Sequence, residues 1–398
     1  MRRPRAVRPA LLTLAAALVA AGTAPAQTPC GGSFNGYLDG VRAEAQRRGL
    51  SPQATAAFLS GAAQDQAVLR ADRGQAIFQL PFTDFARKVI SPNRIQTGAA
   101  MSKRYNSTFN AIQKQYGVSR GILLAFWGLE TDFGQVQGNV NTRNALLTLA
   151  HDCRRPDLFR PQVFAAIELT ARGDFDPART TGAWAGEIGQ VQMLPADILA
   201  NGIDGDGDGH VRLKTSAPDA LNSAARMLRG LGWRPNEPWL QEVTVPQNLN
   251  WAASGLNHSA RVSDWAKAGV KPRAGRLPSG NMPASLLLPQ GRNGPAFLAY
   301  PNFQVLFEWN KSFVYVTTAA YFGTRLEGAP VFDPGHPSPA LSSGQMKALQ
   351  QKLAARGHDV GAIDGILGER TREAVQTEQE RLGLPADAWP TQELLNRL

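Results

Sequence analysis

The chain has 398 residues, a net charge of +10 and 43% apolar residues, enough to bury a full core in more than one domain. The basic excess is spread along the chain without a Lys/Arg block, which sets nucleic acid aside as a partner and suits a weakly anionic polymer. After the N-terminus no stretch is apolar enough to span a bilayer, so no stable membrane anchor is expected.

Residues 1–26 read as a signal peptide. "MRRPRAVRP" is a basic start, "ALLTLAAALVAAG" is an apolar stretch too short to span, and "APA" (Ala24–Ala26) offers small residues for cleavage before Gln27. The sequence around Arg2 and Arg3 suits general export better than a twin-arginine signal. Cleavage removes four arginines and no acids, which leaves a mature chain near +6 and directs it to the periplasm. Cys30 and Cys153 are the only cysteines. One pair in an exported chain reads as one disulfide, and the "QTP" before Cys30 is not a lipid-attachment motif.

In chain order, residues 34 to about 245 carry a helical pattern. "SPQATAAFLSGA" opens on Ser-Pro, and "ISPNRIQTGAAMSKRYNSTFNAIQKQYG" is a long amphipathic run that ends at Gly117. "VSRGILLAFWGLETDFG" follows, with Ser119 as N-cap and Gly134 as stop. Between 241 and 300 the segments shorten to "QEVTVP", "ASLLLPQG" and "AFLAY", separated by Gly and Pro, which predicts short strands. "NFQVLFEWNKSFVYVTTAAYFGTRL" returns to a helical pattern. A Pro-rich linker, 334–341, leads to a compact helical unit at 342–398.

Glu130 is the conspicuous acid. On a helix it lies one turn from Phe126 and three residues after Trp127, so it faces aromatic surroundings. Desolvation there would raise a carboxyl pKa and equip it to protonate a glycosidic oxygen near neutral pH; from this stretch alone the alternative is a Glu at the solvent edge of the helix near its C-terminus. Asp132 falls on the far side of the same helix and cannot share its face. Asp174, Asp176 and Glu187 remain open as a second carboxylate.

"DGDGDGH" places Asp204, Asp206 and Asp208 at positions 1, 3 and 5 of an EF-hand-like loop, with the His210 carbonyl as the next oxygen. Thr215 stands where the closing Glu belongs. The alternative is a metal-free Asp/Gly turn.

The ordered landmarks "YGV", "GLET", "NTRNALLTLA", "GAWAGEIGQVQMLP", "DGDGDGH" and "NF…WNKS" resemble the membrane-bound lytic transglycosylase B family over about residues 34–330. The resemblance implies a mainly α chain whose catalytic domain, 27–333, is a lysozyme-like α+β fold with a small β-rich insertion. It implies that Glu130 is the single acid/base cutting the MurNAc-GlcNAc β-1,4 bond of peptidoglycan strands to leave 1,6-anhydro ends, with no cofactor in the chemistry. It carries over Gln192, Trp309, Asn310 and Tyr315 as substrate-binding residues, and closes a structural Ca²⁺ loop with Asp219. Ala183 departs from a common serine, and Phe85 and Met227 from tyrosines. The last region, "LQQKLAARGHDVGAIDGILGERTREAVQTEQERLGL", resembles the peptidoglycan-binding type 1 module, which implies a three-helix bundle that concentrates a monomeric enzyme on the wall. A hydrolytic muramidase and a non-catalytic wall-binding protein are the competing readings.

Overall fold

The computed structural model describes residues 28–74 and 80–398; the expected signal peptide lies outside them. Among the described residues helices dominate, accompanied by a two-stranded and a five-stranded antiparallel sheet. No helix among them is long and apolar enough to cross a membrane.

At the centre is the helix Arg120–Thr131. Ser119 caps it, accepting from the Gly121 N–H at 3.0 Å, as the sequence predicts. Every residue from Gly121 to Gly128 is buried, because neighbouring elements surround the helix on all sides. The helix Phe313–Leu326 packs directly on it, at a crossing made by two glycines. A methyl group on Gly121 would lie 2.6 Å from the Gly323 carbonyl oxygen, so the backbones meet where no side chain fits.

The expected stop at Gly134 comes three residues early. The helix ends at Thr131, and Asp132, Phe133 and Gly134 are all left-handed, with φ of 52°, 59° and 87°. Two non-glycines in that region cost about 1 kcal/mol or more each. Arg94 offsets the cost by binding the Asp132 carboxylate at 3.0 Å, and Thr131 donates to the Gln190 carbonyl at 2.6 Å. The long run ending at Gly117 also divides, into Pro92–Arg104 and Asn106–Tyr116, at Tyr105, whose ring meets Trp127 edge-on.

The short strands form one sheet, in the spatial order Ser259–Arg261, Pro283–Leu287, Ala296–Ala299, Leu240–Thr244, Lys271–Pro272. Its period of two divides the side chains between two cores. Leu287, Phe297 and Ala299 join the main helical core, while Ala284, Leu286, Ala296 and Leu298 build a second core on the other face. Cys30 and Cys153 are joined across 123 residues, a closure worth about 5 kcal/mol in the chain-entropy model.

The C-terminal module is the expected three-helix unit: Ser343–Ala355, Glu369–Arg381 and Gln392–Arg397 around their own small core. The stretch 334–341 has no regular structure, yet it is pinned. The His336 N–H donates to the Asn293 carbonyl at 2.7 Å, and the Trp389 indole N–H donates to the Ser338 carbonyl at 3.0 Å. The module docks on the catalytic body: Gln376 donates to the Ser254 carbonyl at 2.9 Å, and Asn257 bonds Glu373.

Candidate active site

A cleft of about 680 Å³ opens beside the end of the central helix, with Glu130 on its wall. Burial pushes the Glu130 carboxyl up to about 7. Hydrogen bonds from Tyr315 and Trp309 pull it down, and the nearby Glu187 charge pushes it up further. The Tyr315 phenol donates to Glu130 Oε1. The phenol is itself raised well above its ordinary value by burial and by the carboxylate it faces, so it stays protonated as the donor.

Trp309 and Asn310 enter the cleft because the 302–326 helical pattern breaks there. The helix Pro301–Trp309 ends at an extended Asn310, whose side-chain oxygen accepts from the Ser312 N–H at 2.8 Å, and Ser312 then caps the next helix. The Trp309 ring stacks on Phe126 with centroids 4.5 Å apart. Gln192 also lines the cleft, at a left-handed φ of 52°, and its amide donates to the Gly189 carbonyl at 2.7 Å. Of the four substrate-binding candidates, three therefore stand on the cleft wall. Tyr315 is different: it is buried, with its hydroxyl on the Glu130 carboxylate. Ala183 and Met227 line the cleft, and Phe85 is buried.

Glu187 is the acid of the open trio that shares the cleft with Glu130. Burial raises its pKa, and its Oε2 is buried without a partner among the described residues. Asp174 is occupied by His210 and the Val211 N–H, and Asp176 ties the turn at 176–180. Trp184, also on the cleft wall, is an aromatic that sequence reasoning passed over. Its signal was a single large ring among small residues in "GAWAG".

The acidic loop brings part of its expected set together. Ligand oxygens of Asp204, Asp206 and Asp219 all lie within 4.8 Å of one another. Asp219 is fully buried and fixed by the Gly205 and Arg212 N–H groups and by the Ser216 hydroxyl. Asp208 instead pairs with Arg212 at 2.9 Å, and the His210 ring binds Asp174 at 3.0 Å. Three hard carboxylates converging from two segments fit a divalent cation of the calcium type. The chain beyond the loop supports the cleft, since the Leu213 carbonyl accepts from the Gln190 N–H at 2.9 Å and the Lys214 carbonyl from Gln137 at 3.0 Å.

One helical body with a cleft acid and aromatic walls, carrying a docked three-helix module, is the architecture of a wall-glycan-cleaving enzyme. The transglycosylase SLT domain model matches residues 33–324, and a peptidoglycan binding domain model matches 342–398. The chain belongs to the transglycosylase SLT family and is a lytic transglycosylase by class. It is 35% identical to SltB3 from Pseudomonas aeruginosa, solved in complex with NAG-anhNAM-pentapeptide, over 92% of this chain and 99% of that one, with a TM-score of 0.84. It is 28% identical over 252 residues to membrane-bound lytic murein transglycosylase B of Escherichia coli (strain K12), covering 62% of this chain and 68% of that protein. Lytic transglycosylase SLT35 of Escherichia coli, solved in complex with calcium, aligns at 25% identity with a TM-score of 0.64, over 75% of this chain and 96% of its own.

Proposed function

We propose that this protein cuts the MurNAc-GlcNAc β-1,4 bond of peptidoglycan strands in the periplasm, and that Glu130 alone supplies both acid and base. The observation that carries the reading is the Glu130 carboxyl on the cleft wall, with a pKa near 7 and in hydrogen-bonding contact with a buried phenol. Protonated Glu130 gives its proton to the glycosidic oxygen, and the bond from that oxygen to the MurNAc anomeric carbon breaks. The GlcNAc side leaves with a free hydroxyl. The Glu130 carboxylate then takes the proton of the MurNAc 6-hydroxyl as that oxygen attacks the anomeric carbon and closes the 1,6-anhydro ring. No water is consumed and the carboxyl ends protonated, ready for another turn.

Glu187 does not fit the second-carboxylate role of ordinary retaining glycosidases. Its charge acts on Glu130 instead, where it helps to raise the pKa of the acid. Trp309 offers a ring edge or face to a sugar, and Asn310 and Gln192 offer amides to hydroxyl and N-acetyl groups. The relative solved with NAG-anhNAM-pentapeptide supports the same product class. The Asp204, Asp206 and Asp219 carboxylates would hold Ca²⁺, which supplies charge neutralisation in the loop and takes no part in the chemistry. The C-terminal module would keep the enzyme on the wall.

Glu130→Gln tests the assignment, because it keeps shape and removes proton transfer. Binding to isolated sacculi is expected to persist while turnover falls by about 10²-fold or more. Near-normal turnover would remove Glu130 from the mechanism.

A further inference from the structure

The C-terminal module buries a charge against the catalytic body. Arg372, on the helix Glu369–Arg381, is 6% exposed, and its guanidinium lies 4.3 Å from the centre of the Phe313 ring. Its Nη2 donates to the Pro289 carbonyl at 2.8 Å, and Trp389 stands 6.0 Å away on another side. Glu369 and Asp387 are the acids whose charge it feels, but neither forms an ion pair with it; Asp387 is tied to Arg292 instead. Among the described residues, Arg372 Nε has no hydrogen-bond partner. Burial lowers its pKa to about 10, which leaves it cationic at neutral pH.

A buried cation without a paired carboxylate weakens an interface unless it holds something. What it holds is Phe313, the first residue of the helix that carries Tyr315 two residues later. Within seven residues the chain puts Trp309 and Asn310 on the cleft wall, Tyr315 on Glu130, and Phe313 on the module. The ring at the turn is gripped from behind by a residue more than fifty positions away.

We propose that Arg372 is a positioning residue for catalysis: by holding Phe313 it fixes the 309–315 segment, so that Tyr315 and Trp309 stay on the Glu130 carboxyl. The proposal rests on the acid role of Glu130 given above. It makes the module part of the active-site support as well as a wall anchor.

Full-length Arg372→Met and Arg372→Lys, assayed on soluble glycan strands so that wall anchoring does not enter, test it. Arg372→Met is expected to lower kcat by about tenfold with KM nearly unchanged, since small misplacements at a reacting centre cost that much. Its alkaline pH limb should move upward, because a loosened Tyr315 no longer holds the Glu130 pKa down. Arg372→Lys, which keeps the charge but not the flat guanidinium, should fall between. Asn257→Ala loosens the same interface at the Glu373 contact and should leave kcat and the pH limb in place. Phe313→Leu should reproduce the loss and add little to Arg372→Met. If Arg372→Met does not fold, Arg372→Lys carries the test. Wild-type kcat and an unmoved limb in the folded Arg372 variants overturn the proposal. Glu130→Gln in the same assay keeps the two claims apart: if it is inactive while Arg372 variants are normal, only the positioning claim falls, and if it is active, the acid assignment falls first.

Discussion

The cleft and the module interface bury opposite charges on two sides of one helix start. At the cleft, Glu130 keeps partial exposure and a hydroxyl partner, and its pKa rises to about 7, where a proton can leave and return. At the interface, Arg372 falls only to about 10 and stays charged, so burial there fixes a position and moves no proton. The same desolvation therefore produces an acid in one place and a clamp in the other. What differs is the distance between the ordinary pKa of the group and neutral pH.

At the cleft, Tyr315 is the partner through which Glu130 is most readily disturbed. Tyr315→Phe removes a donor that favours the ionised carboxyl, so the descending alkaline limb should move to higher pH, while lost alignment lowers kcat by about tenfold or more. An unmoved limb in kcat/KM profiles would show that the phenol does not act on Glu130.

Stability offers a second probe. A carboxyl with a raised folded-state pKa binds its proton more tightly than in the unfolded chain, so it withdraws stability as pH rises from about 4.5 to 7. Glu130→Gln lacks that loss. Its melting temperature should exceed the wild type by several degrees at pH 8 and by little at pH 4, read by thermal unfolding at both pH values. An equal shift at both would mean that Glu130 is not buried against its charge.

Calcium should act on the loop and not on the chemistry. Millimolar Ca²⁺ is expected to raise the melting temperature by a few degrees through mass action, and Asp206→Ala should abolish that shift. A shift that survives in Asp206→Ala would place the ion elsewhere.

The smallest expected effect belongs to Glu187→Gln. It removes a like charge that raises Glu130, so the alkaline limb should move to lower pH, opposite to Tyr315→Phe, with maximal kcat close to wild type. A large loss of kcat would give Glu187 a direct part in the reaction.

Much of the cleft was legible because its signals are local. Ser119 caps the helix, the apolar run before Glu130 predicts its burial, and the EF-hand spacing marks Asp204 and Asp206. The helix end was misplaced because the stop is made by contacts from Arg94 and Gln190, which no local pattern encodes. The Tyr315–Glu130 bond spans 185 residues, and the Gln190 and Lys214 contacts that brace the cleft are likewise tertiary. Asp208 fits the loop spacing but is taken by Arg212. The docked module was the least visible. "ERTREAVQTEQER" belongs to the expected helical module, but nothing in it marks a docking face, and Thr371, Arg372, Gln376, Glu378 and Gln379 are all buried. The Gln376 and Gln379 amides donate to the backbone carbonyls of Ser254, Ala386 and Trp389, and Glu378 accepts from His358 and Arg381, a solution that apolar periodicity cannot announce.

The central claim is that one carboxyl cuts the strand without water. Digestion of sacculi by the full-length protein in ¹⁸O-water, followed by mass spectrometry of the released muropeptides, tests it directly. The released strands are expected to carry 1,6-anhydro-MurNAc ends without ¹⁸O. Reducing-end MurNAc bearing one ¹⁸O would contradict it and establish hydrolysis instead.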